Sequence, residues 1–112
     1  MGLAEEWAAR LARVRVLELE ARRETPSVGQ IGGAIWRYFN GQPGAYEIRS
    51  MALLDAMFDA FGYSTFERTV DLSFGPAFWE ALDYLLAQGV LRNVSGGTSR
   101  HSRLLGRGEN FS

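Results

Sequence analysis

Apolar residues recur with helical spacing in five segments of the chain, and short polar or glycine-containing stretches separate these segments. The spacing i, i+4, i+7 places apolar side chains on one face of a helix, which can then pack against a core. In the last segment Phe78, Leu82 and Leu85 follow this spacing. The pattern predicts helices over residues 3–23, 28–40, 51–61, 65–71 and 76–88.

Serine residues mark the starts of three of these predicted helices. Ser27 with Gln30, and Ser64 with Glu67, have the spacing of a capping box. In this motif the serine hydroxyl accepts a hydrogen bond from a backbone amide three residues on, and the longer side chain accepts one in return. Ser50 precedes the third helix, where a serine hydroxyl can also cap the first turn.

The last predicted helix leads into two runs of residues that favour β structure. Gly89 ends the helix, because glycine readily adopts the left-handed conformation found at many helix ends. The runs 90–94 and 100–105 are joined through residues 95–99, which contain a glycine pair, and this arrangement predicts a β-hairpin. Earlier in the chain, the alternating residues 45–49 predict a short edge strand.

The segment from Gly75 to Leu105 runs helix, glycine, strand, turn and basic strand, and it resembles the third helix and wing of a winged helix-turn-helix domain. Three helices with short connections extend the resemblance over about residues 50–105. It implies a mainly α fold with a C-terminal β-hairpin wing, and members of this superfamily bind DNA or other proteins. We expect a long N-terminal helix over 1–24, the winged-helix domain over 25–105 and a flexible tail over 106–112.

The composition fits one globular domain without catalytic or metal-binding groups. With 112 residues, of which 46% are hydrophobic, the chain is large enough for a single core. It has no cysteine, which excludes thiol chemistry and cysteine-ligated zinc. His101 is the only histidine, and no serine or acid near it has the spacing of a nucleophile and an oriented base. We therefore expect no enzyme activity, no metal and no cofactor.

The N-terminal residues lack the pattern of a signal peptide. Glu5 and Glu6 stand where such a peptide carries positive charge. No apolar run approaches the roughly 18 residues that a membrane span requires. We expect a cytoplasmic protein that has no membrane partner.

The net charge of −1 conceals an uneven distribution. From residue 25 to 88 three arginines face seven acids, whereas from residue 89 to 112 four arginines face one acid. All basic residues are arginines, which suits phosphate recognition by the planar guanidinium but is also expected of a GC-rich coding sequence. The C-terminal part is therefore the part best suited to a polyanion.

The first functional hypothesis is a small DNA-associated transcriptional regulator that contacts double-stranded DNA through its basic wing. The third helix of such a domain usually reads base edges with basic or amide side chains. Here that helix presents Glu80 and Asp83, which would repel a groove lined by phosphates. Wing side chains can still contact phosphates or a minor groove, and the candidates are Arg92, Arg100, His101, Arg103 and Arg107.

The alternative hypothesis is an accessory or inhibitory factor that docks a protein through the same acidic, aromatic helix. Trp79 and Tyr84 are of the residue types enriched at interface hot spots. A structural role for Trp79, packed against the wing or the N-terminal helix, is the competing interpretation.

The N-terminal helix has more apolar surface than a narrow seam requires. Leu3, Trp7 and Leu11 begin a stripe along one face, and Val16 and Leu19 lie off it. This surface either packs back on its own domain or pairs with a second subunit. We expect a homodimer, with Trp7 and Leu11 as interface residues.

Overall fold

The computed structural model describes residues 2–21, 24–95 and 99–112, and the side chains of these residues except those of 13–21. The described part is mainly helical with a small antiparallel sheet, which confirms the predicted mainly α class. Its helices are α1 (Leu3–Ala21), α2 (Val28–Asn40), α3 (Ser50–Ala60), α4 (Thr65–Val70) and α5 (Phe74–Ala87). Its strands are β1 (Glu47–Arg49), β2 (Leu91–Asn93) and β3 (Leu104–Arg107).

The three strands form one sheet in the order β1-β3-β2, so the last strand of the chain lies in the centre. Both pairings are antiparallel, and Leu105 lies opposite Ile48 on one side and Asn93 on the other. Opposed residues share a face of the sheet. Leu105 and Ile48 are buried, so this row faces the helices.

The helices and the inner face of the sheet enclose one hydrophobic core. α2 packs against α5 and α3, and the sheet closes one end of this three-helix arrangement. Three aromatic rings meet at the centre: Phe58 stacks on Phe74 at 4.4 Å between centroids, and Tyr63 lies 4.9 Å from Phe74. The largest fully buried side chains are Phe39, Phe74, Phe78, Ile31, Ile35, Leu53, Met57, Leu82, Leu91 and Leu105.

Both predicted capping boxes are present. The Ser27 hydroxyl accepts from the Gln30 amide and the Ser64 hydroxyl from the Glu67 amide, with the reciprocal bond made in each case. The prediction for α3 was wrong, because Arg49 occupies the N-cap position and Ser50 is the first helical residue. Ser50 is buried, and its hydroxyl donates a hydrogen bond to a carbonyl of the β2–β3 loop instead of capping α3.

The segment after β3 packs on the helices instead of forming the expected tail from residue 106. Gly106 and Arg107 belong to β3 itself. The Trp36 indole N–H donates to the backbone carbonyl of Ser112 at 3.0 Å, and the Trp36 ring stacks on Phe111. A Cβ on Gly108 would overlap the carbonyl oxygen of Gly89, so the chain passes there at a separation that only glycine permits.

The same segment completes the end of α5. Gly89 has a φ of 72°, and the Val90 amide donates to the Leu85 carbonyl at 3.0 Å, as the glycine-terminated helix end requires. Asn110 adds a bond from its side-chain amide to the Gln88 carbonyl. The predicted stop at Gly89 is confirmed, and the position of α5 also depends on contacts from residue 110.

Asp71 ties the entry to α2 to the turn before α5. Its carboxylate accepts hydrogen bonds from the Thr25 hydroxyl at 2.9 and 3.0 Å, the Tyr63 hydroxyl at 2.5 Å and the Ser73 amide at 3.0 Å. Burial acts to raise the pKa of Asp71, but these hydrogen bonds outweigh it and lower the pKa below its ordinary value of 3.8. The ionised carboxylate is therefore part of the folded structure.

A tyrosine pair closes the connection between α2 and β1. The hydroxyl oxygens of Tyr38 and Tyr46 lie 2.6 Å apart. Burial, together with this hydrogen bond, raises the pKa of Tyr38 to about 12. The Tyr38 hydroxyl is therefore neutral at physiological pH, and the pair links α2 to the residue that precedes β1.

α1 extends from the body of the molecule, and its main tertiary contacts within the described part are with α4. Trp7 and Leu11 are each 59% exposed and Leu3 is 76% exposed, so the part of the apolar stripe formed by these three side chains has no cover in a single chain. Among the described residues, no helix is both long and apolar enough to cross a membrane.

Candidate nucleic-acid interface

The β2–β3 loop, residues 94–103, folds over the N-terminus of α3. We describe it at residues 94–95 and 99–103, because 96–98 lie outside the described part. Three hydrogen bonds join the described loop residues to Arg49 and Ser50: the Ser50 amide donates to the Arg103 carbonyl at 2.9 Å, the Ser50 hydroxyl to the Arg100 carbonyl at 2.8 Å, and the Arg49 guanidinium to the Ser102 carbonyl at 2.9 Å. The loop carbonyls thus satisfy donors at a helix start that has no side-chain cap.

Two loop arginines share one carboxylate on α5. Arg100 Nη2 lies 3.5 Å from one oxygen of Asp83, and Arg103 Nη2 lies 3.5 Å from the other. The Arg100 side chain is half exposed, whereas that of Arg103 is mostly buried. The basic loop and the acidic helix α5 therefore lie against each other, and Asp83 partly neutralises the charge of the two arginines.

Trp79, one of the predicted protein-interface residues, lies beneath this loop and is buried. It is 8% exposed, and its ring is 5.2 Å from that of His101 in an edge-to-face arrangement. The Arg100 guanidinium carbon lies 5.8 Å from the centre of the Trp79 ring. Trp79 is therefore not exposed on α5 as a docking residue would be. Its packing agrees with the alternative interpretation, in which Trp79 packs against the wing.

The remaining candidates lie apart from one another. Arg92 is exposed on the outer face of β2, opposite Gly106. Arg107 is a structural residue: its Nη2 donates to the carbonyls of Phe39 at 2.9 Å and Gln42 at 2.7 Å, and its guanidinium lies over Phe111. Arg107 thus closes the C-terminal end of α2 and has its Nη2 engaged by backbone carbonyls.

Arg49 belongs to the site although it was not among the predicted contacts. It precedes α3 in the chain, and only the folding of the loop onto α3 brings it beside Ser102. The position of Arg49 between a short strand and a helix start gave no local sign of this contact. Arg68 does not join the site, because it pairs with Asp55 and Asp59 on α3.

The three other predicted protein-interface residues are exposed. Tyr84 on α5 is 62% exposed, and Trp7 and Leu11 are exposed on α1. These three side chains are available to a partner, in contrast to Trp79.

The loop site can bind an anion by its geometry and charge. Arg49, Arg100 and His101 are exposed around one loop, and Arg103 lies behind them with Asp83. Guanidinium groups bind phosphate oxygens through paired hydrogen bonds. No group of three or more histidine and acidic side chains that could hold a metal ion occurs within residues 2–21, 24–95 and 99–112.

Comparisons with protein-family models, with curated proteins and with solved structures found no match.

Proposed function

We propose that this protein is a small DNA-associated regulator with a winged helix-turn-helix domain, which holds duplex phosphates with the basic side chains around its β2–β3 loop. The supporting arrangement is the order α2, β1, α3, α4, α5, β2, β3 together with the sheet order β1-β3-β2. In this proposal α5 is the third helix of the motif, and the β2–β3 loop is its wing. α3 and the short helix α4 are the first and second helices of the motif, and α2 precedes it.

The observation that carries the proposal is the convergence of basic side chains from two separate parts of the chain. Arg49 comes from the β1–α3 junction, and Arg100 and His101 come from the loop. Phosphate contacts position a protein on DNA without reading its sequence. Because the exposed face of α5 carries Glu80 and Asp83, base reading by that helix is disfavoured, and we expect binding that depends little on DNA sequence.

Asp83 gives this mode of binding a specific signature. A phosphate that reaches Arg100 must compete with the carboxylate that already lies 3.5 Å away. Removal of the carboxylate charge frees the arginines for the phosphate. An Asp83→Asn variant should therefore bind duplex DNA more tightly than the wild type. The substitution adds no contact to a base or sugar, so the gain comes from the freed arginines alone.

Fluorescence anisotropy with a duplex of about 20 base pairs, titrated at several salt concentrations, tests the proposal. Two or three phosphate contacts predict a slope of log K against log salt of about −2 to −3. Arg49→Ala and Arg100→Ala should each make this slope shallower by about one. Arg37→Ala is the matched control, because Arg37 is exposed on α2 and takes part in none of the loop contacts described above.

The outcomes are distinguishable. Tighter binding by Asp83→Asn, weaker binding by the two loop-site variants and no change in Arg37→Ala support the proposal. Absence of binding to any duplex at micromolar protein and low salt refutes it. Equal loss in Arg37→Ala would show that overall charge, rather than the loop, attracts the DNA.

A second candidate function, docking of a protein partner on α5, is favoured by the exposure of Tyr84 at 62%. Aromatic side chains of this kind dominate many interfaces. Affinity capture with Tyr84→Ala and with Gln88→Ala, an exposed residue one turn further on, compares the two positions. A partner retained by Gln88→Ala and lost by Tyr84→Ala supports this function, and equal recovery by both variants rules it out.

A further inference from the structure

A groove of about 460 Å³ lies between α2 and α5, on the opposite side of α5 from the residues that meet the β2–β3 loop. Its walls are almost entirely apolar. Trp36 stands on the α2 side and Tyr84 on the α5 side. Its floor is open because α2 presents Gly29, Gly32 and Gly33 there, and a Cβ built on Gly32 meets nothing within 4 Å. The groove can therefore admit the side chains of another helix.

The chain also has an apolar helix face without a cover. The α1 stripe, defined by Leu3, Trp7 and Leu11, is exposed along its whole length. It covers eight residue steps, or about 12 Å of helix. The groove runs along α2 from Val28 to Trp36, which is also eight residue steps and about 12 Å. The exposed stripe and the exposed groove thus match in chemistry and in length.

We propose that the α1 stripe of one copy of this protein lies in the α2–α5 groove of a second copy, and that the reverse contact forms at the same time. Within a single chain α1 lies against α4, so its stripe and the groove both face solvent. A two-fold pairing covers both stripes and both grooves, because each copy contributes the same pair of surfaces. A single contact would leave one stripe and one groove in water.

The contact is small, because each copy contributes the eight groove residues and one face of α1. Stable interfaces at the low end of the usual range bury about 1,200 Å² in total. We expect dissociation in the micromolar range. Trp7 is the anchor, since a large aromatic side chain seated in an apolar pocket contributes most to such contacts.

Sedimentation equilibrium of the full chain tests the proposal. The apparent mass should rise from 12.5 kDa towards twice that value as protein concentration increases over about 1–100 µM. Gly32→Leu fills the groove without a clash inside the subunit and improves helix propensity, so the variant folds and should associate at least about tenfold more weakly. Its matched control is Gly75→Leu, a helical glycine outside the groove whose Cβ also meets nothing.

The complementary change is made on α1. Trp7→Glu should weaken association by a similar factor, because it places a charge in the apolar groove. Ala9→Glu adds the same charge on the opposite face of α1 and should leave the mass curve within about twofold of the wild type.

A mixture of the Trp7→Glu and Gly32→Leu chains separates exchange from other pairings. The first chain keeps an intact groove and the second keeps an intact stripe, so a mixed dimer has one undamaged contact and should form more readily than either variant alone. Direct pairing of one α1 with another would leave Gly32→Leu unaffected. That result, or a monomer at every concentration, overturns the proposal. If the groove binds a small apolar molecule instead of α1, the protein would also stay monomeric, and this result too would overturn the proposal.

Discussion

Asp71 provides the sharpest test of how the core is held in place, because one carboxylate joins three parts of the chain. In Asp71→Ala the Thr25 hydroxyl, the Tyr63 hydroxyl and the Ser73 amide all lose their shared acceptor. Hydrogen bonds to a charged group are worth about 1.5–3 kcal/mol each, but water replaces part of this at a site that is 9% exposed. We expect a net loss of about 3 kcal/mol in the free energy of unfolding.

The magnitude is measurable by thermal and urea unfolding followed by circular dichroism. A loss of 3 kcal/mol corresponds to a fall in Tm of about 12 °C for a domain of this size. Tyr63→Phe removes only one of the donors and should cost about 1 kcal/mol. In a double-mutant cycle, the Tyr63 and Asp71 changes should be coupled by at least about 0.5 kcal/mol, since they remove the same bond.

The pH dependence of the free energy of unfolding shows which form of the Asp71 carboxyl stabilises the fold. The pKa of Asp71 is lower in the folded state than its ordinary value of 3.8, so the stabilisation is present above that value and disappears as the pH falls through the folded pKa. The stability difference between wild type and Asp71→Asn should stay constant from about pH 8 to pH 5 and shrink below about pH 4. A difference that persists unchanged to pH 2, or an Asn variant as stable as the wild type at pH 7, would refute the role of the ionised carboxylate.

Three further outcomes follow from contacts elsewhere in the fold. Gly108→Ala should lower stability by about 3 kcal/mol, whereas Gly44→Ala, at an open position, should be neutral or slightly stabilising, and thermal melts compare the two. Arg107→Met should lower Tm by several degrees, through loss of two charge-assisted bonds at about 1 kcal/mol each, while DNA affinity measured by anisotropy stays unchanged. In a spectrophotometric titration, Tyr38→Phe should remove an ionisation step near pH 12, and loss of a step near pH 10 instead would contradict the pairing of Tyr38 with Tyr46.

The parts of the fold that were predictable from the sequence are those specified by neighbours in the chain. The capping boxes at Ser27 and Ser64 need only residues three positions away, and both are present. Gly89 likewise ends α5 through its own backbone conformation. Helical spacing of apolar residues located α2 and α3 to within a few residues, because each of these helices has a buried face of its own. α4 has no buried residue and was located by its capping box.

The features that were missed depend on contacts between distant residues. Trp79 is buried because the β2–β3 loop covers it, and its helical position alone is equally compatible with exposure. Arg107 resembles any other basic residue until the end of α2, 65 and 68 positions earlier, is placed beside it. In the candidate site, Arg100 and His101 were predicted from charge and hairpin pattern, whereas Arg49 and Asp83 required the folded loop.

The central place of β3 in the sheet fixes the order in which the sheet can assemble. β1 and β2 have no pairing with each other, so neither edge strand gains a partner before residues 104–107 arrive. β2 meets β3 by closing a loop of about ten residues, while β1 must close one of more than fifty, and the longer closure costs more chain entropy. The hairpin should thus form early in refolding, and the docking of β1 onto it should be a late step that slow, non-local contacts control.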